Sequence, residues 1–196
     1  VVTMCGDSTF FHTIIPGLVN ARYHHANMLL MVLDNSATAM TGFQPHPGTG
    51  ITAMGDQTKP MSIEKICEAI GCQVTIADPF DVQGTSKVLR DLLNQDGLKV
   101  LIMKQPCATL MSKQETKRRR VYVDQDICYG DGCGCDKFCS RVWGCPGNSW
   151  DFTKNKAKID PMSCVGCGVC AQLCPSGAIK VLSLIHISEP TRLGMI

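Results

Sequence analysis

The sequence predicts an α/β protein in which a mostly parallel sheet covered by helices is followed by a small, cysteine-rich α+β domain. Three features carry this expectation. Strand-like and helix-like segments alternate through residues 1–104, as they do in a parallel sheet with helical crossovers. Met28–Leu33 is a continuous apolar run of strand length, the pattern of a strand buried on both faces. Of thirteen cysteines, four stand at 5, 67, 72 and 107, and the other nine crowd into 128–174.

Taken in order, Val1–Met4 reads as a buried strand ending at Gly6-Asp7-Ser8. It begins without a charged leader or initiator methionine, so it reads as a strand entered halfway in a fragment and not as a signal peptide. Pro16–Asn27 has helical spacing, with Pro16 suited to a first turn. After Met28–Leu33 a polar loop bearing Gly and Pro runs from Asp34 to about Pro60. Ser62 ahead of Ile63, Ile66 and Ile70 predicts a capped helix. Gln73–Ala77 reads as a short strand, Asp81–Asn94 as a helix and Lys99–Lys104 as another strand. The scattered cysteines, Cys5, Cys67, Cys72 and Cys107, and the methionines at 28, 31, 40, 54 and 61 read as packing residues. His24 and His25 read as a polar helix end.

Composition excludes several classes. At 196 residues there is room for one ordinary domain with an appendage, or two small ones. Nineteen basic against 17 acidic residues give a net charge of +2, without the basic field of a nucleic-acid binder. The longest apolar run is six residues, against roughly 18 for a bilayer span. Met111–Arg120 is polar and ends in four cationic residues. It reads as a solvated linker, with a docking patch for an acidic partner as the alternative. The expected organisation is an α/β domain over 1–112, a linker over 113–120, a cysteine-rich domain over 121–181 and a tail over 182–196.

Cys164, Cys167, Cys170 and Cys174, the last followed by Pro175, have the spacing of a bacterial ferredoxin run. A cubane cluster is soft and anionic, and needs thiolates and backbone N–H donors wrapped closely around it. Gly166 and Gly168 permit the tight turns that wrapping needs. Structural zinc or disulfides are the alternatives, although a zinc ribbon would show two well-separated cysteine pairs. Val123–Cys128 and Ile159–Cys164 look like two copies of one unit, so a second [4Fe–4S] cluster is expected. The first copy is irregular, with Cys128, Cys133, Cys135, Cys139 and Cys145-Pro146 offering five thiols for four roles. In two-cluster ferredoxins the cysteine before proline ligates the other cluster. Cys145 would then serve Cys164, Cys167 and Cys170, while Cys174 serves Cys128, Cys139 and one of Cys133 or Cys135. This metal-cluster spacing favours a reducing, cytoplasmic compartment over a disulfide framework.

Gly6-Asp7-Ser8 alone is explained equally well by a turn. Asp34-Asn35-Ser36, however, follows the next apolar strand. Adjacent parallel strands would bring Asp7 and Asn35 together at their carboxyl ends, where open α/β sheets bind ligands. A carboxylate, an amide oxygen and a backbone carbonyl are hard donors suited to Mg²⁺ that also takes diphosphate oxygens. The helix starting near Pro16 could add an N-terminal anion site.

Three segments, Gly6–His12, Leu33–Gly42 and Gln44–Gly50, together resemble the large subunit of indolepyruvate:ferredoxin oxidoreductase. The resemblance covers about residues 1–181. It implies a thiamine-diphosphate-binding α/β domain, truncated at its N-terminus, followed by a two-[4Fe–4S] ferredoxin-like domain. Carried over, Asp7, the Asn35 side chain and the Ala37 backbone oxygen would ligate Mg²⁺. Gly6, Ser8, Thr9 and the turn Met40-Thr41-Gly42 would line the diphosphate, and His12 and His46 would be weak candidates for the active-site wall. The catalytic base stays unassigned. Ile14, where the family has glycine, and the expanded Cys128–Cys139 spacing depart from the family pattern. The family's upstream regions, with the glutamate that contacts the aminopyrimidine, are missing, so this chain alone is expected to be catalytically incomplete.

The implied activity is oxidative decarboxylation of a 2-oxoacid such as an aryl pyruvate. An acyl-CoA would form, and electrons would pass through the clusters to ferredoxin. Implied partners are a smaller oxidoreductase subunit, ferredoxin, coenzyme A and the 2-oxoacid, with neither nucleic acid nor membrane. The alternative is a ferredoxin-type carrier fused to a non-catalytic α/β domain, which would have no use for paired oxygen donors at Asp7 and Asn35. Finally, Leu182–Arg192 resembles the translation of a transposase-end adapter used in sequencing libraries, so 182–196 is expected to be a non-native tail.

Overall fold

The computed structural model describes residues 1–110, 119–133 and 144–183. The chain divides into two compact units, Val1–Cys107 and Ala108–Ile196.

The first unit is built on four parallel strands. β1 (Val2–Gly6) leads into a helical run made of α1 (Asp7–Thr9), a π-helical stretch (Phe10–Ile14) and α2 (Ile15–Tyr23). β2 (Met28–Asp34), α3 (Ile63–Ile70), β3 (Gln73–Ala77), α4 (Val82–Leu93) and β4 (Leu98–Lys104) follow. The strand order is β1-β2-β4-β3, and every pairing is parallel. The predicted cap forms, with the Ser62 hydroxyl accepting from Lys65 N–H at 3.1 Å, and the structure adds a second at α4, where the Asp81 carboxylate accepts from Gly84 N–H at 3.0 Å.

Strand alternation divides the core into two layers. On one face Leu30, Val32, Val100 and Ile102 pack with Phe10, Leu18, Ile63 and Cys67 from the first helical run and α3. On the other, Leu29 and Leu101 pack with Leu92, Val88 and Leu89 of α4. Residues of β2 and β4 therefore meet apolar neighbours whichever way they point, which is why Met28–Leu33 reads as an unbroken apolar run.

Several expectations are corrected. The first helix begins at Asp7 with no intervening turn, and it ends at Tyr23, short of Asn27. Pro16 has no N–H to return to the preceding turn, and the wider π-helical stretch immediately ahead of it absorbs that missing bond. The end is set by His25, which takes φ 51° and lets Ala26 N–H reach Ala21 C=O at 2.9 Å. An anion site near Pro16 is thereby removed, because the start of the helical run lies at Asp7. β1 is an edge strand and not a buried one, with Val2 52% and Met4 64% exposed. Met40, Met54 and Met61 are exposed, so the packing role expected of them holds only for Met28 and Met31, which join the core layers.

In the second unit β5 (Arg119–Val123) pairs antiparallel with β8 (Ile179–Ser183). β6 (Asn148–Asp151) pairs antiparallel with β7 (Lys156–Ile159). A 3₁₀ turn (Gly130–Cys133) and α5 (Val169–Leu173) complete the described elements. β5 takes in Arg119 and Arg120 from the expected linker, and they pair with Ser183 and Leu182 of the expected tail. The remainder of that tail, 184–196, and residues 111–118 lie outside the described residues.

The two-copy reading is visible in the hydrogen bonds. Asp124 Oδ1 accepts from Asp126 N–H and Asp160 Oδ1 from Met162 N–H. Cys128 and Cys164 each donate their N–H to the carbonyl of that aspartate at 3.0 Å. Asp124 N–H bonds to Ala178 C=O and Asp160 N–H to Gly147 C=O, the residues just before β8 and β6. Each antiparallel pair therefore joins a strand of one copy to a strand of the other. Among the described residues no helix is long and apolar enough to cross a membrane.

Two outcomes are expected of the core. Ile102, fully buried between β2 and β3, should cost about 2–5 kcal/mol of stability as Ile102→Ala, measured by urea unfolding of the first unit's transition. Burial raises the Cys5 thiol to about 11 and the Cys67 thiol to about 12, against 9.0 for a free thiol. The unfolded chain loses these protons first, so their stabilising effect is whole below pH 9 and is lost as pH rises toward 11–12. Replacing both with alanine should flatten the fall in melting temperature across that alkaline window.

Candidate functional site

Parallel register puts the carboxyl ends of the strands side by side: Gly6 opposes Leu33, and Asp34 opposes Lys104. The residues that follow β1 and β2 are therefore neighbours. Asp7 is 3% exposed. Its Oδ1 accepts from Ser8 N–H at 2.8 Å, and its Oδ2 accepts from Asn35 N–H at 3.1 Å. Asp7 and Asn35 are thus brought together as their spacing predicts, through a backbone contact that the sequence does not display.

The loop after β2 is held by its own side chains. Asn35 Oδ1 accepts from Ala37 N–H at 3.1 Å, and Ser36 sits at φ 59° with its N–H bonded to Asp34 Oδ1. Ala37 is buried, and its carbonyl accepts from Ala39 N–H at 3.0 Å. The Asp7 carboxylate, Asn35 Oδ1 and Ala37 carbonyl are all hard oxygen donors with lone-pair capacity to spare, a set that fits a divalent cation such as Mg²⁺. The Met40-Thr41-Gly42 turn stands in solvent. It is closed by Gln44, whose Nε2 donates to Thr41 C=O at 2.7 Å, and by Gly42 at φ 119°.

The two histidines part company. His12 is exposed on the π-helical stretch. His46 is 5% exposed, with its Nε2 3.1 Å from Asp7 Oδ2 and its ring stacked on Phe11. A cavity of about 520 Å³ opens beside it, lined by Phe11, His46 and Gly48 and by Asp34, Glu64 and Lys104. Lys104 Nζ lies 3.0 Å from Glu64 Oε1 and 3.8 Å from Asp34 Oδ2. Burial raises the Asp34 pKa against the opposing pull of the Ser36 N–H and Lys104. Sequence reading did not single out this triad. Its one available signal was that Asp34 and Lys104 end neighbouring strands.

In the second unit Cys128 is buried, Cys145 exposed, and Cys133, Cys164, Cys167, Cys170 and Cys174 half-buried. Cys135 and Cys139 lie outside the described residues. Among the described residues no three His, Cys, Asp or Glu side chains gather closely enough to hold a metal ion. The backbone of the second run turns tightly all the same. Gly166 and Gly168 take φ 77° and 79°, as the tight turns require. Gly147 lies so close to the second run that a Cβ there would stand 2.8 Å from Cys164 Cα, which places the Cys145 segment against Cys164. Burial opposes ionisation of Cys174, yet hydrogen bonds from Ser176 and from the N–H groups of Ile179, Ala178 and Ser176 lower its pKa overall. Backbone donors around a cysteine sulfur are what a thiolate cluster ligand needs.

Residues 1–103 match the family described as thiamine pyrophosphate enzyme, C-terminal TPP binding domain, and residues 157–180 match the 4Fe-4S binding domain. Among curated proteins, the chain is 42% identical over 185 residues to the indolepyruvate oxidoreductase subunit IorA of Pyrococcus horikoshii. It is 41% identical over 181 residues to that of Thermococcus kodakarensis, and equally so to that of Archaeoglobus fulgidus. Each alignment covers 92% of this chain, and the chain spans 28% of the length of each relative. The buried Asp7 at the strand ends and the cysteine run behind it thus fall within two matched domains, and the chain belongs to the thiamine pyrophosphate enzyme family, carrying its C-terminal TPP-binding domain ahead of a 4Fe-4S binding domain.

Proposed function

We propose that this chain holds the diphosphate end of thiamine diphosphate and provides the iron–sulfur exit for electrons in a 2-oxoacid:ferredoxin oxidoreductase. The observation that carries the reading is the buried Asp7 carboxylate clasped at the strand ends beside Asn35 and Ala37. Asp7, the Asn35 side chain and the Ala37 carbonyl would hold Mg²⁺. Gly6, Ser8, Thr9 and the Met40-Thr41-Gly42 turn would line the diphosphate. When bound, thiamine diphosphate supplies the electron sink for decarboxylation of a 2-oxoacid. The names of the relatives favour indolepyruvate as that acid.

Two [4Fe–4S] clusters would take the electrons singly. The cross-pairing of β6 with β7 and of β8 with β5 supports crosswise ligation. Cys145 would join Cys164, Cys167 and Cys170, and Cys174 would join Cys128, Cys139 and one of Cys133 or Cys135. Ferredoxin as electron acceptor, coenzyme A as acyl acceptor and a smaller oxidoreductase subunit as partner complete the proposal.

Asp7→Ala should abolish Mg²⁺-dependent thiamine diphosphate binding in calorimetric titration while leaving about eight irons per anaerobically reconstituted chain. Unaltered cofactor affinity would show that the strand-end pair is a structural turn only. Gly147→Ala should drive a methyl group into Cys164 and remove about four of those irons, read by iron assay and the spectrum of the reduced chain. Full iron content in that variant would count against the crosswise arrangement.

A further inference from the structure

We infer that His46 is a positioning residue for Asp7: its Nε2–H and the Asn35 N–H together hold Oδ2, leaving Oδ1 as the oxygen offered to a divalent cation. The ring and its backbone are held by several neighbours. Pro45 and Pro47 restrict the backbone around it. Thr49 donates both its N–H and its hydroxyl to the His46 carbonyl, at 2.9 and 2.8 Å. Phe11 stacks on the ring with centroids 5.7 Å apart and planes inclined by 29°. A Cβ on Gly48 would stand 2.9 Å from Phe11 and 3.0 Å from His46, so glycine there allows the stack.

The tautomer follows from the neighbouring donor. Gly48 N–H points at His46 Nδ1 from 3.2 Å, so Nδ1 accepts and the neutral ring carries its proton on Nε2. That Nε2 is buried, and no hydrogen bond among the described residues satisfies it. The Asp7 carboxylate oxygen 3.1 Å away lies within reach but off the hydrogen-bond line. A buried donor left unsatisfied is costly, and the Asp7 carboxylate is an ionic acceptor at contact distance. A carboxylate offers about four lone-pair positions. Ser8 N–H occupies one position on Oδ1 and Asn35 N–H one on Oδ2; a hydrogen bond from His46 Nε2 would fill Oδ2 and leave the free position on Oδ1. Groups behind a metal ligand commonly set its affinity in this way.

This inference rests on the reading of Asp7 as a cation ligand, and the test separates the two. Mn²⁺ binding to the full chain, with thiamine diphosphate present, is followed by electron paramagnetic resonance, with circular dichroism as the check on folding. His46→Phe, which keeps an aromatic ring against Phe11, should weaken Mn²⁺ binding about 10- to 100-fold, while His46→Gln, which restores a donor, should stay within about threefold. Wild-type affinity in His46→Phe, with the Asp7→Ala variant impaired, overturns the inference alone. Wild-type affinity in Asp7→Ala overturns the site reading and this inference with it. Should His46→Phe fail to fold, ¹⁵N chemical shifts of His46 in the unaltered chain decide. A protonated Nε2 that shifts on adding Mg²⁺ and thiamine diphosphate supports the inference, and a proton on Nδ1 or an unmoved Nε2 overturns it.

Discussion

The Asp7 carboxylate is bonded at one oxygen by the residue after it and at the other by Asn35, across two strands. Hydrogen bonds to an ionised group contribute about 1.5–3 kcal/mol each, enough to fix where the first strand stops and its helix begins. The consequence is geometric. The end of β1 is tied to the end of β2, and the loop after β2 turns back on itself through Asn35 Oδ1 and Ala37 N–H. The Cys107 N–H bonds to the Asn35 carbonyl and the Gln105 N–H to the Asp34 carbonyl, so the chain leaving β4 is anchored to the same loop. Three strand ends thus converge on one buried negative charge, which makes that charge a natural place for a cation.

The second unit is held by a different economy. Among the described residues its strands are four or five residues long and its buried apolar residues are few. A unit with so few buried apolar residues gains little from its core, and staples of metal and sulfur are the usual remedy. Matching hydrogen bonds at Asp124 and Asp160 give both copies the same entry into their cysteine runs. Each copy lends a strand to the other, and the close approach of Gly147 to Cys164 sets the Cys145-Pro146 end of the first copy beside the second run.

Much of this was legible in the residues. The apolar run of β2, the Ser62 cap and the Asp7–Asn35 spacing all act through local rules: burial on both faces, an orphan N–H needing an acceptor, and parallel register. The start of the first helix was not legible, because Pro16 announces a first turn while the π-helical stretch before it hides the true beginning at Asp7. The burial of His46 was not legible either, since it depends on Phe11 and Asp7 in a distant segment. Lys99 is a third case: a lysine 3% exposed in β4, its ammonium taken by the Asn27 side chain and the Gln95 carbonyl, partners that only the folded sheet brings near. Exposure of Met40 and Met54 was missed for the opposite reason, because apolar residues in a loop carry no periodicity to show which way they face.

The central claim is that the oxygens gathered at the strand ends hold a divalent cation that in turn holds the cofactor's diphosphate. Electron–nuclear double resonance at ³¹P, on the chain loaded with Mn²⁺ and thiamine diphosphate, tests it most directly. Strong hyperfine couplings from cofactor phosphorus, on Mn²⁺ that no longer gives the signal of the hydrated ion, are the predicted result. A Mn²⁺ signal that remains that of the free hydrated ion, with no ³¹P coupling at saturating cofactor, would contradict the account.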